Sequence, residues 1–124
     1  MIPTVLIVDD NRVNRLAAMK VCGGIGVLSR EAHNGEEALR LVHQHRFGAI
    51  LLDLRMPGMS GEEVCGRIRA DERIREVPII AYTAHVQSTD IARLLDAGFD
   101  AVLIKPVRFW DFERVLRGFG LLPA

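Results

Sequence analysis

Val5-Leu6-Ile7-Val8-Asp9-Asp10 is a run of β-branched and aliphatic residues that ends in two acids, and the fold follows from it. A continuous apolar run of this length suits a strand buried on both faces, as in a parallel sheet covered by helices on either side. Val13, Leu16, Ala17 and Val21 then recur at helical spacing, so the first unit reads strand, acidic turn, helix. Gly23, Gly24 and Gly26 end that helix, a weaker strand spans Val27 to Ala32, and Asn34-Gly35 opens a helix with Ala38, Leu39 and Val42 inward. Ala49 to Leu52 is the third strand, and Pro57, Gly58 and Gly61 punctuate a loop before a helix carrying Val64, Cys65 and Ile68. Pro78 opens a strand over Ile79 to Tyr82. The fourth helix holds Ile91, Leu94 and Leu95 and closes at Gly98. Ala101 to Ile104 is the last strand, and a final helix runs from about Arg108 to Gly118.

Strands alternating with helices of this size imply a five-stranded parallel sheet with right-handed crossovers. If the second connection doubles back past the first strand, the order becomes 2-1-3-4-5, a doubly wound, flavodoxin-like α/β arrangement. Helices one and five then share one face of the sheet, and helices two, three and four the other. Ligands in such sheets bind beyond the carboxyl ends of the strands, beside the reversal. Here that point lies between the strands ending in Asp9-Asp10 and in Asp53.

At 124 residues the chain suits a single domain over residues 1–124, with enough apolar content to fold without disulfides or a structural metal. Cys22 and Cys65 fall on helices assigned to opposite faces, which argues for two reduced, packed thiols. The 16 basic and 16 acidic side chains cancel, which removes the charge that grips nucleic acid backbones. The longest apolar stretches, near Gly48 to Leu52 and Val77 to Tyr82, fall far short of the ~20 residues of a membrane span. Asp9 and Asp10 come too early for a signal peptide, so the expectation is a cytoplasmic protein without direct nucleic acid or membrane contact.

Three carboxylates converging at one sheet edge penalise one another's charged forms, so the site demands cations. Lys105, in Ile104-Lys105-Pro106 at the end of the fifth strand, supplies one positive charge, and a Mg²⁺ ion would balance the remainder. Magnesium suits the donors because it prefers octahedral oxygen coordination and uses one or two carboxylates with waters. Taken singly, Asp9 or Asp10 could cap the following helix and Lys105 could be a solvated strand end. Together with Thr83 ending the fourth strand, they read as a site.

These residues closely resemble a known family. Leu6-Ile7-Val8-Asp9-Asp10-Asn11, the segment from Asp53 through Leu54-Arg55-Met56-Pro57-Gly58-Met59-Ser60 to Gly61, Thr83-Ala84 and Lys105-Pro106 look like the signature of response-regulator receiver domains, in order and over essentially the whole chain. The resemblance implies that Asp53 accepts a phosphoryl group from a sensor histidine kinase or a histidine phosphotransfer protein. By the same matching Asp10 and Asp53 ligate Mg²⁺, Asp9 assists, and the backbone carbonyl of Arg55 adds a ligand. Thr83, the backbone N–H of Ala84 and Lys105 would contact the phosphoryl oxygens. The resemblance also implies that Arg55 and His85 tune how fast water removes the group, and that the bond preceding Pro106 is cis. It further implies a switch read on the surface of the fourth helix, fifth strand and fifth helix. The family's usual aromatic reporter three residues before the lysine is Val102 here, so that part of the switch departs from the pattern.

In the fifth helix Phe109, Phe112, Leu116 and Phe119 form an inward stripe, whereas Trp110, Arg114 and Arg117 fall on the opposite side as a candidate partner surface. His43 and His45, two apart on a helix, read as solvated rather than as a metal pair, and Met56 and Met59 as loop packing. Met1 close to the first strand favours a stand-alone regulator, whereas Val13-Asn14-Arg15 resembles receivers fused to hybrid kinases. The resemblance implies a switch rather than a turnover enzyme. Two other readings stay open: a magnesium-dependent aspartyl-nucleophile phosphatase, which would want a second acid where Arg55 stands, and a flavin-binding or small-ligand module, which would want a phosphate-cradling loop in place of Asp9-Asp10.

Overall fold

In the computed structural model, which describes residues 2–84 and 87–123 and, of residues 88 and 89, only the backbone, the apolar runs become strands β1 (Thr4–Val8), β2 (Leu28–Ala32), β3 (Ala49–Asp53), β4 (Ile79–Thr83) and β5 (Ala101–Ile104). They alternate with helices α1 (Arg12–Ile25), α2 (Gly35–Gln44), α3 (Gly61–Ala70), α4 (Ser88–Asp96) and α5 (Phe109–Gly118). The sheet is parallel throughout, in the order β2-β1-β3-β4-β5. Leu6 stands beside Arg30 on one side and Ile50 on the other, so β1 occupies the point where the winding reverses.

Because side chains alternate along a strand, each apolar run feeds two cores. Leu6, Val8, Ile50, Leu52, Ile79 and Ala81 pack with Val42, Val64, Ile68 and Leu94 of α2, α3 and α4. Val5, Ile7, Leu51, Ile80 and Leu103 pack with Ala18 and Cys22 of α1 and Phe112 and Leu116 of α5. Each fully buried Leu or Ile contributes about 1.5–3 kcal/mol on this footing. Cys22 and Cys65 lie buried in opposite cores, as free thiols. Met56 and Met59 pack into the α2, α3 and α4 core.

Side-chain caps begin the first three helices. Asn11 accepts from the Asn14 N–H at 3.0 Å, Asn34 from Glu37 at 2.8 Å and Ser60 from Glu63 at 3.2 Å. Asn11 is thus the cap of α1, and neither Asp9 nor Asp10 is used for it.

Some helix faces differ from the periodicity. Val13, Leu16 and Ala17 point outward, Val13 being 73% exposed, and Ala18 and Cys22 face the sheet instead. The reason is space: α1 shares its side of the sheet with α5, and a Cβ on Gly24 would lie 3.3 Å from the Phe109 ring, so small residues fill the contact. Gly23 and Gly24 lie within α1, which ends only at Gly26, in the left-handed region at φ 100°. In α4 only Leu94 of the expected trio is buried; Ile91 and Leu95, about 60° and about 100° around the helix from it on the same side, are exposed. His43 approaches Asp71 at 3.4 Å, and His45 lies just past the end of α2 beside Arg30. Trp110 is 75% exposed, with Arg114 and Arg117 also at the surface, while Phe112 and Leu116 are buried. No helix among the described residues is long and apolar enough to cross a membrane.

Candidate functional site

The carboxyl ends of β1, β3, β4 and β5 meet around a cleft of about 280 Å³ lined by Asp9, Asp10, Asn11, Asn14, Asp53, Arg55, Thr83, Ala84 and Lys105. Each candidate residue reaches it for a local reason. Asp9 and Asp10 leave β1 before α1 is capped, Asp53 is the last residue of β3, and Thr83 is the last of β4. The Lys105 N–H donates to the Thr83 carbonyl at 2.8 Å, which extends the β4–β5 ladder to the lysine. The Lys105–Pro106 peptide is cis. His85 lies outside the described residues.

Asp9 is fully buried, Asp53 and Thr83 nearly so, and Asp10 is exposed at the mouth. The Lys105 ammonium sits 3.0 Å from Asp9 Oδ2 and 3.2 Å from Asp53 Oδ2, bridging the ends of β1 and β3. Asp9 Oδ1 accepts the Asn11 N–H at 2.9 Å, and Asp53 Oδ1 accepts the Arg55 N–H at 3.3 Å. Burial, and then the Asp9 charge, push the Asp53 carboxyl up to about 6, with Lys105 and the Arg55 N–H pulling the other way.

Such a carboxylate is under-compensated, and the donor set shows by what. Asp9, Asp10 and Asp53 each offer an oxygen, all within 4.8 Å of one another. Asp9 Oδ2, buried, receives no well-aligned hydrogen bond among the described residues; it is held only by the charge of Lys105. Clustered hard oxygens with an orphaned lone pair fit a divalent cation such as Mg²⁺.

Sequence reading overlooked further residues here. Arg15, one turn into α1, donates from Nη1 to the Asp9 carbonyl at 2.9 Å and from Nε to Glu31 at 2.6 Å, pinning the acidic turn to β2. Tyr82, adjacent to Thr83, lies beneath Lys105, whose Nζ is 4.7 Å from the ring centroid. Strand alternation carries the signal for Tyr82: it projects on the same side as Ile80, the side of α1 and α5.

Comparison with known proteins agrees with this geometry. Residues 5–117 match the model of the response regulator receiver domain. The chain is 39% identical over 94% of its length to the sensor histidine kinase AruS of Pseudomonas aeruginosa, of which the match spans only 12%. It is 32% identical to the polar-differentiation response regulator DivK of Brucella anthropi, over 94% of both chains. Among solved structures, the receiver domain of the sensor histidine kinase PA1611 of Pseudomonas aeruginosa, with a magnesium ion in its active-site cleft, superposes with TM-score 0.86 at 34% identity, over 97% of this chain and 99% of that one.

Proposed function

Because this chain belongs to the response regulator receiver domain family, we propose that it is a phosphorylation-controlled signalling module with Asp53 as its phosphoryl acceptor. The observation that carries this is the bridge of Lys105 from Asp9 to Asp53 beside three carboxylates within 4.8 Å. The donor is a phosphohistidine of a sensor kinase or a histidine phosphotransfer protein. A carboxylate oxygen of Asp53 attacks the phosphorus, an O–P bond forms, and the P–N bond breaks. The electron pair leaves with the imidazole nitrogen, which takes a proton from solvent.

Two anions must meet, so charge compensation and in-line positioning matter more than a general base. Asp9, Asp10, Asp53 and the backbone carbonyl of Arg55 would hold Mg²⁺, which when bound neutralises charge on the carboxylates and the transferring group. Lys105 supplies the fixed cation, Thr83 donates its hydroxyl to a phosphoryl oxygen, and the N–H of Ala84 assists because its small side chain leaves the approach open. Water later attacks the phosphorus, releasing phosphate and regenerating the Asp53 carboxylate. The chain acts as a carrier rather than a turnover enzyme. Arg55, at the rim of the cleft, sets the lifetime of the modified form with His85.

An acyl phosphate on Asp53 makes the site more negative and draws Thr83 and Lys105 inward. We place the readout on α4, β5 and α5. Exposed Ile91, Leu95, Ile104 and Trp110, with Arg114 and Arg117, support that reading, since apolar and aromatic side chains with Arg are what partner surfaces collect. Val102 carries no aromatic switch, so the signal must pass through the movement of Thr83 and Lys105 themselves.

The decisive experiment incubates the protein with a small acyl-phosphate donor and Mg²⁺ and maps the added mass. Addition of one phosphoryl group at Asp53, lost in Asp53→Asn, is expected; labelling elsewhere, or none, would remove the proposal. Capture of partners with and without the modification then tests the α4-β5-α5 face, which Trp110→Ala should weaken.

A further inference from the structure

Lys105 has a neighbour that is not an acid. Asp9, Asp53 and Lys105 follow Ile7, Leu51 and Leu103 by two residues, and those three side chains belong to the core beneath α1 and α5. Tyr82 belongs to the same core, in register with Asp53 on one side and Leu103 on the other. Its ring therefore lies directly below the cleft, and the Lys105 ammonium stands 4.7 Å from its centroid.

This distance is within the range where a cation is attracted to the negative face of an aromatic ring. Here the attraction is poorly screened, because Tyr82 is only 1% exposed. The ring also differs in kind from the other partners of Lys105. A divalent cation competes with the ammonium for the oxygens of Asp9 and Asp53, and a phosphoryl group on Asp53 changes that residue's charge and shape. The ring face is claimed by neither. It offers the ammonium one contact that persists while its carboxylate contacts are exchanged.

Resting on the reading of Asp53 as phosphoryl acceptor, we propose that Tyr82 is a positioning residue for the transfer: its ring holds the Lys105 ammonium over the cleft, poised between Asp9 and Asp53 to receive the phosphoryl oxygens. The role belongs to the ring and not to the hydroxyl. Phenylalanine should serve in its place and an aliphatic residue of similar size should not.

The test measures the rate of Asp53 labelling by a small acyl phosphate at saturating Mg²⁺. Tyr82→Phe should react within about twofold of the wild type, and Tyr82→Leu about five- to thirtyfold more slowly, the range of a partly desolvated cation–π contact. In a Lys105→Ala background Tyr82→Leu should cost nothing further, because the ring then has no ammonium to hold. Wild-type rates in Tyr82→Leu, or the same slowing with Lys105 absent, would overturn the proposal. A wild type that takes no label would instead overturn the acceptor reading, and this role with it.

A readout independent of variant folding comes from the wild type. The chain has two lysines, Lys105 and the exposed Lys20. The side-chain ε-methylene protons of Lys105 should resonate upfield of those of Lys20 through the ring current of Tyr82. Coincident resonances would mean that the ring does not hold the ammonium.

Discussion

A Cβ placed on Gly61 would stand 2.3 Å from the backbone oxygen of Asp53 and 2.9 Å from the Cα of Leu54. The first turn of α3 thus rests against the end of β3, and the Gly61 N–H donates to the Leu54 carbonyl at 3.1 Å. Backbone cannot yield as a flexible side chain can. Gly61→Ala should therefore destabilise the protein by about 2–4 kcal/mol and move Asp53 relative to Asp9 and Lys105. Denaturant unfolding measures the first effect and the rate of acyl-phosphate labelling the second. A variant as stable as the wild type would contradict the packing described.

Asp53 is held above the ordinary carboxylate range, at about 6, so the folded protein binds its proton more tightly than the unfolded chain does. A raised folded value means that Asp53's own contribution to the stability of the metal-free protein is fully present below the usual carboxylate pKa and is lost as pH rises through about 6. At neutral pH without metal, Asp53→Asn should raise stability by something on the order of 1 kcal/mol, discounted for the open mouth of the cleft. Mg²⁺ should raise the melting temperature of the wild type and have much less effect on the variant. Thermal melts of both proteins at pH 4–8, with Mg²⁺ or a chelator, give the answer; a metal-free wild type that gains stability relative to Asp53→Asn from pH 4 to 7 would count against it.

Arg69 ties together segments distant in sequence. Nε donates to the Gly98 carbonyl at 2.9 Å, Nη1 to the Arg75 and Val77 carbonyls at 2.6 Å each, and Nη2 to Asp100 at 2.7 Å. Asp100 in turn accepts the Ile79 N–H at 2.8 Å at the start of β4. Only a planar, multiply donating group can satisfy all of these at once. Arg69→Ala should cost about 2–3 kcal/mol and Arg69→Lys should recover only part of it, as judged by chemical denaturation. Full recovery by lysine would show that charge alone suffices.

The thiols should be inert in the folded protein. Burial pushes Cys22 up to about 12 and raises Cys65, so neither presents appreciable thiolate near pH 8. Alkylation should modify neither cysteine until denaturant is added, when both react. Because Cys22 keeps its proton in the fold beyond its ordinary value of 9.0, stability should decline as pH rises from about 9 towards 12. Rapid labelling of Cys22 in native protein would show that α1 opens readily.

Strands were the most legible part of the chain. Val5 to Val8, Ala49 to Leu52 and Ile79 to Tyr82 are apolar on both faces, a pattern few other elements share, and each appears within a residue of its reading. Helix faces were less legible. Val13, Leu16 and Ala17 have helical spacing, yet so do Ala18 and Cys22, and spacing says nothing about which stripe meets the sheet. The answer came from the room left by α5. Ile91 and Leu95 fail for a related reason, since both lie on one side of Leu94 around α4 and only the narrow line through Leu94 meets the core.

The sequence by itself determined the order of elements, the winding that brings Asp9, Asp10, Asp53, Thr83 and Lys105 to one edge, and the need for a cation among them. These follow from periodicity, crossover handedness and Coulomb repulsion, which act on residue types and their order. Only the tertiary structure decided that Tyr82 lies under Lys105, that Arg15 secures the Asp9 turn, that Gly61 touches Asp53, and which side of α1 faces water. Such contacts depend on distances of a few ångströms between segments far apart in the chain, and packing sets those distances only when all the elements are in place.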